Sequence, residues 1–345
     1  PVLERAGNVS ITAEGKDGTS VKVQAIALGS QGTMSLEAGL TLPEAGGNFK
    51  FDVHSRNFDL ADIAAIAGKK DAAGGGPVAV EGSGELSADG RLVSGGSRLS
   101  FGPIRQLGDG DSELMLVPVP VNFDIAWNAD RHSIELNPSP VVFVTGHLIA
   151  SGEVVLPPDG AGLWRFDFAL KGPDPTNVGQ TAEGHFAGTY DTASAGFVVD
   201  DVHFVGAGTS FTAAVRGSSL PGGRYLVVSG ISPQMPVGAL KALWPRTLSS
   251  DARQWVMDNI RSGVITDAHV DFSAGNADLE AGKAGAGTIA FKFANGVFQP
   301  YDDGPLVRDA VGEGYLDGSG FTITVASGWS DMGDGRKLTL APSRF

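Results

Sequence analysis

Hydrophobic alternation with a period of two runs through most of the chain and limits what it can fold into. Val121, Phe123, Ile125 and Trp127 alternate with Asn122, Asp124, Ala126 and Asn128. Trp164, Phe166, Phe168 and Leu170 alternate with Arg165, Asp167 and Ala169, and Phe49, Phe51 and Val53 with Lys50, Asp52 and His54. Successive side chains of a strand point to opposite faces, so each stretch predicts a strand with one apolar and one wetted side. The same reading gives strands over 9–12, 20–28, 34–42, 78–88, 91–101, 133–136, 141–156, 184–190, 197–205, 211–216, 225–229, 268–273, 287–293, 314–316, 321–325 and 337–340. Turn residues separate them, such as Gly15-Lys16-Asp17-Gly18 and the hairpin pair Asp89-Gly90. Strands repeating every ten or so residues with turns between them predict an antiparallel all-β architecture.

Two short helical elements interrupt the pattern, near 59–68 and 237–262. Asp59 is placed to cap an apolar turn over 60–67. In the second, Ala252, Trp255, Val256 and Ile260 recur at helical spacing after Ser249 and Ser250, with Arg261 in the expected last turn and Gly263 at the expected stop. Pro245 separates that helix from an upstream apolar turn. Strand, link and short helix recur in that order at both places, a weak internal repeat suited to capping the open end of a sheet. The flexible stretch 71–78, DAAGGGPV, marks a boundary. The expected segments are 1–76, 77–236 and 237–345, either separate or joined in one continuous sheet.

Composition excludes several classes of function. A net charge of −14 leaves no basic patch for nucleic acid or for an anionic membrane surface. The absence of cysteine removes disulfides, thiolate metal sites and cysteine nucleophiles, and fits an oxidising compartment. The 42% apolar content argues against disorder despite 50 glycines and 19 prolines. No apolar run approaches the roughly 18 residues of a membrane-spanning helix, and no signal peptide is evident. The chain begins at Pro1 and ends at Phe345, and we expect it to be a piece of a longer protein.

Catalytic constellations are not marked. The six histidines, at 54, 132, 147, 185, 203 and 269, form no HExxH or similar metal pair. Asp201 and His203 share a strand face, for which a solvent-facing polar pair is the plain reading; His147 falls on a wetted face. The acidic run Gly108-Asp109-Gly110-Asp111-Ser112-Glu113 lacks EF-hand spacing and reads as a loop. No GxSxG elbow, phosphate loop or dinucleotide fingerprint occurs, and no carboxylate pair stands out for glycoside hydrolysis. No cofactor, no metal and no enzymatic activity are expected. Trp244, Trp255 and Met257 read as anchors of the helical element, and Arg253 and Arg261 as solvated or paired with Asp251 or Asp258.

Leu243-Trp244-Pro245, Ala252-Arg253-x-Trp255-Val256 and Asn259-Ile260-x-x-Gly263 together resemble an element of the AsmA-like proteins of Gram-negative bacteria, especially the YhdP-type branch, which is related to TamB. Tyr301-Asp302-Asp303-Gly304-Pro305-Leu306, followed by Asp309-Ala310-x-Gly312, resembles a second element, with one proline where the family often has two. The resemblance covers about 220–330. It implies a periplasmic segment of a protein anchored in the inner membrane, similar to the bridge-like lipid transfer proteins. Periodicity alone leaves a closed sandwich and an open groove equally allowed. The resemblance implies the groove: an elongated, curled antiparallel sheet, taco-like in section, whose apolar floor shelters acyl chains of phospholipid or another lipid in traffic between the inner and outer membranes during outer-membrane biogenesis. Lining candidates are Val121, Phe123, Ile125, Trp127, Trp164, Phe166, Phe168, Phe291, Phe293, Phe321, Ile323 and Val325. The alternative is a non-catalytic scaffold or assembly factor that holds envelope proteins by pairing at a strand edge.

Overall fold

The computed structural model describes residues 9–14, 19–29, 32–43, 47–60, 76–107, 113–117, 120–143, 146–158, 160–174, 179–218, 220, 223–243, 250–280, 286–301, 304–317, 320–332 and 335–344. The fold is all-β and antiparallel, with 21 strands in one sheet and a separate two-stranded ribbon among the described residues. Contacts divide the chain into two compact units, Pro1–Gly160 with Phe168–Pro173, and Ala161–Asp167 with Asp174–Phe345. The division falls inside the segment 77–236.

The first unit contains β1 (Val9–Glu14), β2 (Ser20–Gly29), β3 (Gly32–Thr41), β4 (Phe49–Arg56), β5 (Phe58–Asp59), β6 (Pro77–Leu86), β7 (Leu92–Phe101), β8 (Ile104–Leu107), β9 (Glu113–Val117), β10 (Val121–Asn128), β11 (Ser133–Phe143) and β12 (Gly146–Val155). Pairing follows sequence order: β1–β2–β3–β4–β6–β7, then β7–β10–β11–β12. β5 pairs with β6, and β8 with β9 as the separate ribbon. The Asp89-Gly90 hairpin forms as expected: Gly90 takes a φ of +82°, and the Ser87 amide donates to the Arg91 carbonyl at 2.8 Å.

The stretch 141–156, expected as one strand, belongs to two. β11 continues through Asn137-Pro138-Ser139-Pro140, and β12 starts at Gly146. The prolines are tolerated because register slips between Leu136 and Ser139, and β10 pairs with β11 only as far as Leu136. The Ser139 hydroxyl takes over there, accepting from the Asp124 amide at 3.1 Å and donating to the Asn137 carbonyl at 2.8 Å.

β13 (Leu163–Pro173) contributes residues to both units. The second unit continues with β14 (Thr181–Asp191), β15 (Gly196–Gly206), β16 (Thr209–Ser218), β17 (Tyr225–Pro236), α1 (Val237–Leu243), α2 (Ser250–Asn259), β18 (Ile260–Ala274), α3 (Asn276–Glu280), β19 (Ala286–Phe298), β20 (Val307–Asp317), β21 (Gly320–Asp331), β22 (Lys337–Leu340) and β23 (Ser343–Arg344). Strands β14 to β21 pair consecutively, and β22 and β23 both add to β21. Among the described residues no pairing closes the ladder.

The main core lies in this second unit. Val237 and Leu240 of α1 and Ala252 and Val256 of α2 pack with Ile265, Phe291, Phe293, Phe298, Val307, Leu316, Ile323 and Val325, all buried. Trp255 meets Phe321 at a ring separation of 5.7 Å. Lys241 of α1 donates to the carbonyls of Met257 and Ile260 at 2.9 and 2.6 Å, satisfying acceptors at the end of α2. Burial lowers the Lys241 pKa, and the charge of Arg261 lowers it further.

The sequence pattern placed the stop of α2 at Gly263 and Arg261 in its last turn; the chain instead passes directly into β18 at Ile260. Gly263, at φ +148°, serves a register slip within β18. Similar irregularities hid the lengths of β19 and β20. Asn295 and Asp309 take φ of +53° and +49° inside strands, next to slips in pairing, where turn-forming residues suggested strand ends. Asp309 is held there by the Trp329 indole, whose Nε1 donates to Oδ2 at 2.7 Å. Several earlier readings lie outside the described residues: the turn 15–18, the helix 61–67, the connection 71–75, the loop 108–112, Trp244-Pro245, Ser249 and Asp302-Asp303.

Candidate functional site

The first unit carries an apolar hollow produced by the order of side-chain sizes across four neighbouring strands. In register, Phe51 of β4, Gly84 of β6, Gly95 of β7 and Trp127 of β10 form one row. Val53, Gly82, Ser97 and Ile125 form the next. Each row reads large, small, small, large. The outer strands supply the bulky walls; the Phe51 ring covers Gly84, and Gly82, Gly95 and Ser97 leave a floor with hardly any side chain. Val80, Leu99 and Phe123 align in the next row. Val80, Leu92 and Ile134, with Ser83, Gly96 and Ala126, complete the lining of a hollow of about 420 Å³. That lies within the roughly 300–1,000 Å³ of ordinary ligand pockets.

The walls are almost wholly carbon. The Trp127 indole spends its one donor on the Leu92 carbonyl at 3.0 Å, so its ring adds apolar surface without an open N–H. The Ser97 hydroxyl on the floor is buried and finds no hydrogen-bond partner among the described residues. Of this unit's described hydrophobic side chains, only Met34, Val78, Val121, Leu148 and Ala150 are buried, whereas Phe51, Val53, Ile125 and Trp127 remain half-exposed. The only described strands outside the sheet are β8 and β9.

The reverse face of the same strands is charged. Arg98 of β7 and Asp124 of β10 sit opposite each other, with Nε and Nη2 donating to the two carboxylate oxygens at 2.7 and 3.1 Å. The Arg98 hydrogen bonds hold the Asp124 carboxyl below its ordinary range, and the same contact raises the Arg98 pKa.

The twelve residues expected to line a groove fall into three groups. Ile125 and Trp127 border the hollow; Phe123, further along β10, does not line it and lies edge-on to Phe101 at 5.9 Å, and Val121 is buried beyond. Trp164 and Phe166 of β13 pack on Tyr190 and Phe186 of β14 with ring separations of 6.0 and 5.1 Å, and Phe168 is half-buried on the same face. Phe291, Phe293, Ile323 and Val325 are core beneath α1 and α2, and Phe321 contacts Trp255. A cavity of about 20 Å³ lies there, lined by Val237, Leu240, Phe291, Phe293, Phe298 and Ile323 among others. The floor residues Gly82, Gly95 and Ser97, and Gly84 beneath the Phe51 ring, escaped sequence reading. Their signal is a small residue at every second position in two strands joined by one hairpin.

A second cluster lies on the polar face of β13 to β15. His185 Nδ1 is 3.0 Å from Asp201 Oδ2, and His185 Nε2 is 3.0 Å from Asp167 Oδ1. His203 Nδ1 is 3.3 Å from the other oxygen of Asp201. Burial works to lower the His185 pKa, but Asp167 and then Asp201 outweigh it, and the net shift is upward. Asp201 and His203 were paired in the sequence reading; their cross-strand partner His185 was not.

No helix among the described residues is long and apolar enough to cross a membrane. The chain matches no protein-family model, no curated protein and no solved structure.

Proposed function

We propose that the protein is a non-catalytic lipid-binding module that shelters an acyl chain of a phospholipid or similar lipid in the hollow of its first unit. The observation that carries this reading is the carbon-lined hollow between the Phe51–Val53 and Ile125–Trp127 ridges. An acyl chain asks for no hydrogen bonds and gains about 0.8 kcal/mol for each methylene removed from water. A hollow without a convergent polar constellation suits such a ligand and offers little to a polar one. The likeness of 220–330 to AsmA-like proteins supports placing the module in the periplasm, within a longer protein anchored in the inner membrane, where it would serve lipid movement between the two membranes.

The test is native mass spectrometry of the purified protein, followed by solvent extraction and lipid analysis. Wild-type protein is expected to retain phospholipid or take up added labelled phospholipid. Ile125→Asp, which puts a charge into the wall, and Ser97→Leu, which fills the floor without charge, are both expected to lose it while remaining folded by circular dichroism. Ser100→Asp on the reverse face should leave binding unchanged. A wild-type protein that carries no lipid and takes up none would remove this reading.

A further inference from the structure

We propose that His185, Asp201 and His203 form a binding site for a divalent transition-metal ion of the zinc class, with Asp167 orienting His185 from behind. The inference is independent of lipid binding, because these side chains occupy the polar face, opposite Phe166 and Phe186.

The local fold builds the cluster. β14 and β15 place His185 directly opposite His203, with their rings 5.3 Å apart. Two registers slip at the same place in β15: against β14 between Ala187 and Gly188, and against β16 between Val199 and Val202. The extra residue bends the strand, and such bulges re-aim neighbouring side chains. Here the Asp201 carboxylate, whose register partner is Ala187, lies between the two imidazoles.

The distances suit a ligand set as well as a hydrogen-bonded cluster. Zinc bonds of about 2.0–2.1 Å in tetrahedral geometry imply ligand-to-ligand edges of roughly 3.3 Å. The two carboxylate–imidazole separations are 3.0 and 3.3 Å. These run to the two different oxygens of Asp201, and one ligand atom from each residue lies within 4.8 Å of the others, so rotation of the carboxylate and the imidazoles would close the three around one ion. The remaining His185 nitrogen already contacts Asp167 at 3.0 Å. That is the carboxylate–histidine arrangement that fixes ring orientation behind a metal-bound imidazole. Two imidazole nitrogens and one carboxylate oxygen suit zinc, nickel or copper, whereas calcium and magnesium call for an all-oxygen shell. A fourth position would be left to water. The ion would tie β14 to β15 directly and β13 through Asp167.

A useful internal contrast is the Asp267–His269 pair on the same kind of face. Its carboxylate is 3.0 Å from His269 Nε2, and its other oxygen accepts from Lys292 at 3.0 Å. An ammonium occupies the place a cation would need.

The experiment is calorimetric titration of the EDTA-treated, desalted protein with zinc chloride, alongside the visible spectrum of the cobalt(II) form. One equivalent of zinc is expected to bind, with cobalt giving the intense absorption of four-coordinate geometry. His203→Gln and Asp201→Asn should each weaken zinc binding at least tenfold, Asp167→Asn about tenfold, in line with the 10–100-fold losses typical of outer-shell partners. His269→Gln should leave affinity unchanged. Absence of stoichiometric binding to the wild-type protein, octahedral cobalt spectra alone, or equal affinity in His203→Gln and Asp201→Asn would overturn the proposal and leave the cluster as a hydrogen-bonded imidazole between two carboxylates. The cobalt spectrum reads the wild-type protein, so the result stands even if a substitution disturbs the fold.

Discussion

The Phe51 ring reaches over Gly84 on the neighbouring strand, so close that a Cβ at Gly84 would come within 2.8 Å of two ring carbons. The same relation recurs as Phe166 over Gly188, Phe197 over Gly217 and Phe293 over Gly312, where an added Cβ would meet ring carbons at 2.8, 2.6 and 2.7 Å. Phe291 covers Gly314 in the same way. A ring laid across a cross-strand glycine shields exposed backbone and spreads its apolar area along the sheet.

Gly84→Ala should therefore destabilise the protein by about 1–3 kcal/mol, the usual cost of forcing extra atoms into a filled space. The added methyl meets the Ser94 carbonyl as well as the ring. Combining it with Phe51→Ala in a double-mutant cycle should recover the part due to the ring. Chemical denaturation gives the coupling energy, and a value near zero would mean that the ring moves aside freely.

Ser97→Ala should raise stability by about 1 kcal/mol, since it removes a buried hydroxyl that has no partner. The urea midpoint is expected to rise with an unchanged slope. A fall would show that the hydroxyl finds a partner in solution.

Truncating the same residue type should separate the filled core from the open hollow. Ile265, 1% exposed, should lose about 3 kcal/mol on change to alanine, within the usual range for such core substitutions. Ile125, half-exposed at the hollow, should lose about 1 kcal/mol, because less area returns to water and solvent can enter the space. Equal losses in equilibrium unfolding would mean that the hollow is filled in solution.

Lys241→Met keeps most of the aliphatic stem but removes both donors to the end of α2. The expected loss is about 1–3 kcal/mol, as for hydrogen bonds that involve a charged group. Hydrogen exchange at the end of α2 should quicken more than in β19. Uniform quickening in both would point to global unfolding instead.

Acid should weaken the polar faces of both units. Hydrogen bonding to Arg98 holds Asp124 low, and hydrogen bonding to Lys292 holds Asp267 low. A carboxyl with a depressed folded pKa gives stability that is present above its unfolded value, about 3.9, and lost as pH falls through the folded value. The stability advantage of wild type over Asp124→Asn should be constant from pH 7 to about 5 and shrink below about 4. A gap that stays constant down to pH 2 would show that the pair adds nothing.

Strand content was legible because alternation needs no knowledge of partners: Val121 to Trp127 and Leu163 to Leu170 appear as the strands their patterns specify. Strand length was less legible. Asn295, Asp309 and Gly263 look like turn formers, yet each sits inside a strand where the pairing slips. The prolines at 138 and 140 concealed the true extent of β11 in a similar way. Candidate lining residues were found as apolar members of clean strands, but whether each borders a space or fills a core depends on its cross-strand neighbour. Ile125 faces Ser97, and beyond it Gly82; Phe293 is buried with the residues of α1 and α2. A pattern along one strand cannot supply that. His185 escaped for the same reason, since 18 positions separate it from His203.

Because nearly every strand in each unit pairs with the strands just before and after it in the chain, a hairpin is an interchangeable part. Duplicating or deleting two successive strands would restore the same inward and outward alternation at the new junction and leave distant pairings untouched. Such a ladder can change its number of rungs over evolutionary time while keeping its cross-section, and the reach of a surface built this way is inherited as a count of hairpins.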